Sequence, residues 1–140
     1  ALEAIDAIKS STRKKKYLVE EMAPPGLEII IGARKDPSWG PVVLMGLGGV
    51  AAEAMNDTSI RLAPVNLNDA LSMIDDLKAN ALFGPYRGAA PRDRDALADI
   101  IVATSRIMLE TAGLQEIELN PVRVYASGDG VIALDAVALR

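Results

Sequence analysis

The sequence predicts one α+β domain in which two helices cover a mainly antiparallel sheet. Three observations predict this fold. The chain has 140 residues, half of them apolar, which is enough for one hydrophobic core. Apolar residues recur at helical spacing in two long segments, and short β-rich runs lie between turn residues. The chain also closes on two apolar runs around residues 127–130, Ser-Gly-Asp-Gly, which indicates an antiparallel hairpin.

The first half of the chain predicts a short helix followed by strands. Residues 1–9 carry Leu2, Ile5 and Ile8 at intervals of three, which favours a helix, and the polar, basic residues 10–16 favour a loop. Proline- and glycine-containing turns then separate four expected strands, at residues 17–22, 27–33, 41–45 and 57–63. The second of these contains three consecutive isoleucines, which is typical of a buried strand.

Two amphipathic helices are expected in the second half. The first places its apolar face at Leu67, Leu71, Ile74 and Leu77, with either Asn66 or Asn68 as its N-cap. The second runs from about residue 93 to residue 112, and Gly113 is a suitable stop. Its expected buried residues are Leu97, Ile100, Ile101, Thr104 and Met108.

The composition restricts the chemistry that the chain can perform. A net charge of −4 and a pI of about 4.8 argue against nucleic acid or an anionic membrane as partner. No signal peptide or membrane-length apolar run is visible, so we expect a cytoplasmic location. The chain has no cysteine and no histidine, which leaves carboxylates, amides, hydroxyls, lysine and arginine for site chemistry. Such oxygen donors suit Mg²⁺.

The strand before the closing hairpin alternates polar and apolar residues. Alternation places Glu116, Glu118 and Asn120 on one face of that strand. A hairpin turn of two residues, 128–129, or of four, 127–130, would place Asn120 opposite Val137. Asp135 would then share the face of Asn120 and lie diagonally across the ladder, close enough for both to bind one cation.

Asp135 is also the one polar residue in the apolar run 131–139. An ionised carboxylate in an apolar setting is costly unless it is paired or binds a cation. These observations predict a metal site at Asn120 and Asp135. The alternative is that Glu116, Glu118 and Asn120 simply form a solvated strand face.

Several motifs in order resemble one known family. Residues 116–121, Glu-Ile-Glu-Leu-Asn-Pro, are followed by an aspartate 15 residues after Asn120, which resembles the end of the ATP-grasp domain in succinyl-CoA synthetase-like enzymes. Residues 18–22 and 26–28 resemble the hinge and following strand of that domain. The remaining matches are to NDP-forming, and specifically ADP-forming, acyl-CoA synthetases, at residues 40–49, 61–64 and 86–88. The resemblance covers nearly all of the chain from about residue 17.

The resemblance implies that one end of the site, formed by Glu118, Asn120 and Asp135, binds phosphate and Mg²⁺; it is called the phosphate end below. Asn120 and Asp135 match the Mg²⁺ ligands of the family, and Glu118 matches a catalytic acidic residue beside the transferred phosphoryl group. Close relatives usually have aspartate where this chain has Glu118, so the charge is kept on a longer side chain.

The resemblance also implies a nucleotide-binding end. Glu20 matches a residue that contacts the base at the hinge, where Ala23 offers its backbone. Glu28 matches the acid that hydrogen-bonds the ribose hydroxyls. Many relatives have glutamine where this chain has Glu20.

The function implied by the resemblance is ligase chemistry on ATP or ADP with Mg²⁺. Residues 1–140 would form the second, carboxy-terminal subdomain of an ATP-grasp domain, with 1–16 as a helix and linker from the preceding part. The expected partners are the remaining ATP-grasp half and a CoA-binding domain or subunit that carries a phosphohistidine. The alternative is a regulatory, ligand-binding domain of the same family fused to a protein acetyltransferase.

Three further groups have open roles. The glycine-rich residues 46–49 are either a tight strand exit or bare backbone that a phosphorylated partner segment could approach. Arg61 and Arg87 either pack locally or serve the site, and residues 14–16 favour a solvated basic loop.

Overall fold

A computed structural model describes residues 2–12, 16–49, 56–86 and 88–140. Arg87 and most of the basic residues 14–16 therefore lie outside the described residues. The elements in chain order are α1 (Leu2–Ser11), β1 (Leu27–Asp36), β2 (Gly40–Leu47), β3 (Thr58–Leu62), α2 (Leu67–Asp75), a 3-10 turn (Asn80–Phe83), α3 (Arg94–Glu110), β4 (Glu116–Val124), β5 (Val131–Ala133) and β6 (Ala136–Leu139).

The strands form one six-stranded sheet in the order β3-β2-β1-β4-β5, with β6 also paired to β4. Every pair is antiparallel. The strands β5 and β6 keep one register against β4, since Val124 pairs with Val131 and Glu116 with Leu139. They therefore act as one strand that is interrupted at residues 134–135. The predicted α+β fold with a mainly antiparallel sheet is confirmed.

The helices α2 and α3 cover one face of the sheet, and the core lies between these helices and the sheet. Alternate residues of β1 and β2 point into this core, as the two-residue period of a strand requires. All the residues predicted for the buried face of α3 except Ile100 are fully buried, and Ile100 packs against the core from a half-buried position. The fully buried core residues of the two strands are Ile29, Ile31, Ala33, Val43, Met45 and Leu47.

The opposite face of the sheet is not covered by any described element. Ile30 and Gly32 of β1 are therefore only half-buried, so the predicted burial of this strand holds for its helix-covered face, where Ile29 and Ile31 are buried. Val137 and Leu139 of β6 are each 52% exposed. We call this surface the open face.

The helix ends follow the predicted capping chemistry. Asn66, rather than Asn68, caps α2: its side chain accepts from the N–H of Asp69 at 3.0 Å, and the Asp69 carboxylate accepts from the N–H of Asn66 at 3.1 Å. Gly113, just beyond α3, has a φ of 79°, a conformation that glycine adopts without steric cost.

Asp93 fastens the start of α3 to the closing hairpin. One carboxylate oxygen accepts from the N–H of Ala96 at 3.1 Å, and the other accepts from Gly128 and Gly130 at 2.9 and 3.0 Å. These hydrogen bonds hold the pKa of Asp93 below its ordinary range. The bond from Ala96 has the largest effect, and the bonds from Gly130 and Gly128 add to it. The hairpin turn is thereby fixed relative to the helix layer.

Residues 17–22 form no strand, contrary to prediction. A strand needs a hydrogen-bonded neighbour, and none of the described strands pairs with this segment. Its apolar side chains also remain in solvent, since Leu18 is 82% exposed and Met22 is 89% exposed. The segment is instead irregular chain without helix or strand; residues 18–25 are called the hinge segment below.

Candidate functional site

A bulge in β4 shapes the open face. Ile31 pairs with Leu119 and Ile29 with Val122, so Asn120 and Pro121 together oppose the single residue Ile30. Proline has no N–H to donate to the hydrogen bonds between strands. A proline inside a sheet, such as Pro121, is therefore accommodated by a bulge. Beyond the bulge the alternation changes phase. The open face consequently continues through Arg123, which pairs with Glu28, and not through Val122, which is buried.

The predicted phosphate end lies beside this bulge. The Nδ2 group of Asn120 donates to Oε1 of Glu118 at 3.0 Å, which places both side chains on the same face. This orientation leaves the amide oxygen of Asn120 as an acceptor. The N–H of Asn120 also donates to the carbonyl oxygen of Asp135 at 3.1 Å, so the two backbones are direct neighbours. The fold therefore brings these three residues together.

The register of the hairpin differs from the predicted one. Val137 pairs with Glu118, not with Asn120, and Asn120 lies across from Asp135 itself. The reason is the position of the turn: the N–H of Tyr125 donates to Gly130 at 3.1 Å, so the loop is residues 126–129. Moving the turn by one residue moves the register by two, which preserves the face of each side chain.

The environment of Asp135 also differs from the predicted one. Asp135 is exposed, at the interruption between β5 and β6, so it carries no cost of burial in an apolar strand. Its Oδ1 accepts from the N–H of Ala136 at 2.8 Å. Among the described residues its Oδ2 accepts no hydrogen bond.

The donors at the phosphate end fit a hard cation. Glu118 and Asp135 supply carboxylate oxygens, Asn120 supplies an amide oxygen, and such ligands suit Mg²⁺. The described ranges contain no cluster of three or more acidic, histidine or cysteine side chains arranged to hold a metal alone. A partial set of protein ligands is what Mg²⁺ commonly has when water and phosphate oxygens complete its shell. The Mg²⁺ assignment itself stays a prediction.

Arg123 organises the other end of the site, and the sequence analysis did not identify it. Its Nε and Nη2 groups donate to Oε1 of Glu28 at 3.1 and 3.0 Å. Its Nη1 group donates to the carbonyl oxygens of Ala23 and Pro24 at 2.9 and 3.1 Å. Arg123 thus connects two of the residues predicted to bind the nucleotide, Ala23 and Glu28.

A cleft of about 430 Å³ lies between the hinge segment and β5. Its walls are the hinge residues Glu20, Glu21, Met22 and Ala23, the side chain of Arg123, and residues 132–134. Asp135 follows directly, so the cleft leads along one strand from the hinge segment towards the phosphate end. Glu20 and Ala23 therefore share one cavity, while Glu28 adjoins it through Arg123.

Within the glycine-rich residues 46–49, Gly48 and Gly49 lie against Glu28. The N–H of Gly48 donates to the Glu28 carbonyl oxygen at 2.7 Å, and a Cβ atom on Gly48 would lie 2.9 Å from the carbonyl carbon. Gly49 has a φ of 73° and passes the Glu28 carboxylate, its Cβ position lying 3.3 Å from Oε2. For Gly48 the close approach of its own chain explains the glycine, which favours the tight strand exit.

Arg61 makes contacts within the fold. Its guanidinium forms an ion pair with Asp76 and donates to Ser72 at 3.0 Å and Ser59 at 3.3 Å. The hydrogen bond from Arg61 holds the pKa of Asp76 below its ordinary range. These contacts join β3 to the end of α2, so local packing explains Arg61.

This fold and its cleft define the class of protein: the chain matches the ATP-grasp domain family over residues 2–138 and belongs to it. The particular resemblance is to ADP-forming CoA ligases. The chain is 39% identical over 143 residues to the β subunit of acetate–CoA ligase (ADP-forming) I of Pyrococcus furiosus, covering 97% of this chain and 61% of the relative. It is 34% identical to 4-hydroxybutyrate–CoA ligase (ADP-forming) of Nitrosopumilus maritimus, covering 95% of this chain and 20% of that relative.

Solved structures give the same result. The apo form of dinucleotide-forming acetyl-coenzyme A synthetase 1 from Ca. Korarchaeum cryptofilum superposes with a TM-score of 0.85 at 40% identity, over 98% of this chain and 64% of that chain. The same protein with coenzyme A and Mg-AMPPCP, its phosphohistidine segment pointing towards the nucleotide-binding site, gives 0.79 at 42% identity, over 84% of this chain and 55% of that one.

The chain thus spans about three fifths of the Pyrococcus subunit and about one fifth of the Nitrosopumilus ligase. Within the described ranges, no helix combines the length and the apolar character needed to cross a membrane.

Proposed function

We propose that this chain is the nucleotide- and Mg²⁺-binding second subdomain of an ADP-forming acyl-CoA synthetase. One observation carries the proposal: the cleft beside the hinge residues Glu20 and Ala23 ends at Leu134, the residue before Asp135, and Asp135 lies across from Asn120. A nucleotide has the same linear order of base, ribose and phosphates. We infer that the base lies against the hinge segment, the ribose near Glu28, and the phosphates beside Asn120 and Asp135.

The proposed chemistry is the interconversion of an acyl-CoA, ADP and phosphate with the acid, CoA and ATP. In phosphoryl transfer the protein contributes mainly positioning and charge stabilisation. Bound Mg²⁺ would neutralise charge on the phosphate oxygens. The chain's own part is to orient oxygen donors: Asn120 is turned by its bond to Glu118, and Asp135 is held next to it by the backbone.

The proposal requires a phosphoryl-accepting histidine from elsewhere, because the sequence contains none. The structure of the Korarchaeum relative is described with a phosphohistidine segment that points towards the nucleotide-binding site. We therefore propose a CoA-binding domain or subunit with such a segment, and the remaining ATP-grasp half, as the partners. The relatives named above are CoA ligases, which favours the ligase over a regulatory domain fused to an acetyltransferase.

Chemical-shift mapping tests the proposed nucleotide site. ADP and Mg²⁺ are added to the ¹⁵N-labelled 140-residue chain, and the backbone amides are followed. We expect saturable shifts in the hinge segment, around Glu28 and Arg123, and at residues 118–120 and 132–136. Adenosine without Mg²⁺ should shift only the amide signals of the hinge segment and those around Glu28 and Arg123. Shifts on the helix-covered side, or none at saturating ADP, would contradict the proposal.

Replacing Glu28 by alanine tests the ribose contact in the complete ligase. We expect the KM for nucleotide to rise by about tenfold with a smaller change in kcat, because a contact remote from the transferred phosphate contributes mainly uniform binding. Steady-state kinetics with varied ADP measure both constants. Glu110→Ala, on the exposed end of α3, is the matched control. A large loss of kcat at unchanged KM would instead assign Glu28 a catalytic or structural role.

A further inference from the structure

The hinge segment has few attachments other than those made by Arg123. Residues 18–25 contain no helix or strand, and none of them shares a backbone–backbone hydrogen bond with another described residue. Arg123 donates to two of their carbonyl oxygens, on Ala23 and Pro24. The hydroxyl of Tyr125 adds a longer contact, 3.5 Å, to the Pro24 oxygen. The position of this segment relative to the sheet therefore depends chiefly on one guanidinium.

The same guanidinium fixes the carboxylate of Glu28. Two of its N–H groups converge on Oε1 of Glu28, so the orientation of the carboxylate is set by a planar, rigid donor group. The pair is partly screened from solvent, the two side chains being 23% and 32% exposed. Oε1 is thereby engaged, and Oε2 lies beside Gly49.

We propose that Arg123 is a positioning residue that fixes the hinge segment and Glu28 at one distance from each other, so that one nucleoside can be bound by both. The inference rests on the proposed function. A base held by the hinge segment and a ribose held by Glu28 are rigidly connected within the nucleoside. The two protein groups must therefore be held in a fixed relation, or binding must order the hinge at a cost in affinity.

The lysine variant separates charge from geometry. Arg123→Lys keeps the positive charge but replaces a planar fork by a single ammonium group. One ammonium cannot reproduce the separate bonds to the Glu28 carboxylate and to the hinge carbonyls. We therefore expect the lysine variant to retain part of the function only.

The experiment compares Arg123→Gln and Arg123→Lys with Arg106→Gln, an exposed position on α3, in the ¹⁵N-labelled 140-residue chain. The first readout, without nucleotide, is the heteronuclear NOE of the amides of Glu20, Met22 and Ala23. The second is the dissociation constant of adenosine. The third is the shift of the Asn120 side-chain amide during a Mg²⁺ titration, which a positioning role at the hinge does not change.

We expect lower NOE values in the hinge segment and an affinity for adenosine reduced by about tenfold in Arg123→Gln, in line with the cost of ordering a loop on binding. Arg123→Lys should be intermediate, and Arg106→Gln and the Mg²⁺ response should match the unmodified chain. Unchanged NOE values, or altered NOE values with equal adenosine affinity, overturn the positioning role alone. Failure of the unmodified chain to bind adenosine at all overturns it together with the proposed function.

Discussion

Replacing Asp135 by alanine is expected to lower kcat/KM of the complete ligase by about 100-fold or more at ordinary Mg²⁺ concentrations. The reason is the loss of an anionic oxygen from a site with few protein ligands, in which Mg²⁺ requires near-octahedral geometry. Asp135 lies next to Asn120 through the backbone hydrogen bond of 3.1 Å, and Asn120 is itself oriented by Glu118.

Kinetics at varied Mg²⁺ distinguish a ligand from a structural residue. If Asp135 binds the cation, excess Mg²⁺ should restore part of the activity of Asp135→Ala, and Asp135→Asn should lie between the variant and the unmodified enzyme. Asp129→Ala, an exposed aspartate in the turn of the same hairpin, is the matched control and should leave activity unchanged. Full activity of Asp135→Ala with an unaltered Mg²⁺ dependence would remove this residue from the metal site.

The elements of this fold were predictable wherever periodicity was strong. The strand at Leu27–Asp36 and the two covering helices have many buried apolar residues at regular spacing. This spacing alone is enough to predict the type of each element. Residues 17–22 also have apolar and β-branched side chains, yet they form no strand. A strand is defined by its neighbour, and sequence composition carries no information about whether a neighbour is present.

The phosphate end was predicted by an argument that was only partly correct. The assignment of Glu118 and Asn120 to one face follows from alternation, and the hydrogen bond between their side chains agrees with it. The register was wrong by two residues because a turn with glycines at 128 and 130 can be centred in more than one way. A shift of two keeps the face of each side chain, and it places Asp135 directly across from Asn120 instead of on the predicted diagonal.

Arg123 was missed for a physical reason. Alternation from Glu116 through Asn120 assigns the next open-face position to Val122, but the bulge at Asn120 and Pro121 transfers that position to Arg123. The proline was the available signal, because a proline within a central strand removes a ladder hydrogen bond and favours a bulge. Applying that rule would have brought an arginine onto the same face as Glu28.

The isolated 140-residue chain is expected to fold but to have no ADP-forming ligase activity and only about millimolar affinity for ATP. Folding is expected because the helix-covered face of the sheet has a continuous apolar core in which Ile29, Ile31 and Val43 are 0% exposed. Ligase activity is not expected because the sequence contains no histidine to accept the phosphoryl group.

Weak affinity follows from the geometry of the open face. Asn120 and Asp135 are exposed, so phosphates beside them would remain in water, where electrostatic interactions are weak. The hinge cleft can contact the base and the ribose, but no described element covers the triphosphate.

Calorimetric titration with Mg·ATP measures the affinity, and a coupled assay for acyl-CoA formation measures turnover. Adding the proposed remaining ATP-grasp half should tighten ATP binding, because it would exclude water from the phosphates. Micromolar ATP affinity or measurable turnover by the chain alone would mean that these 140 residues already contain a complete site.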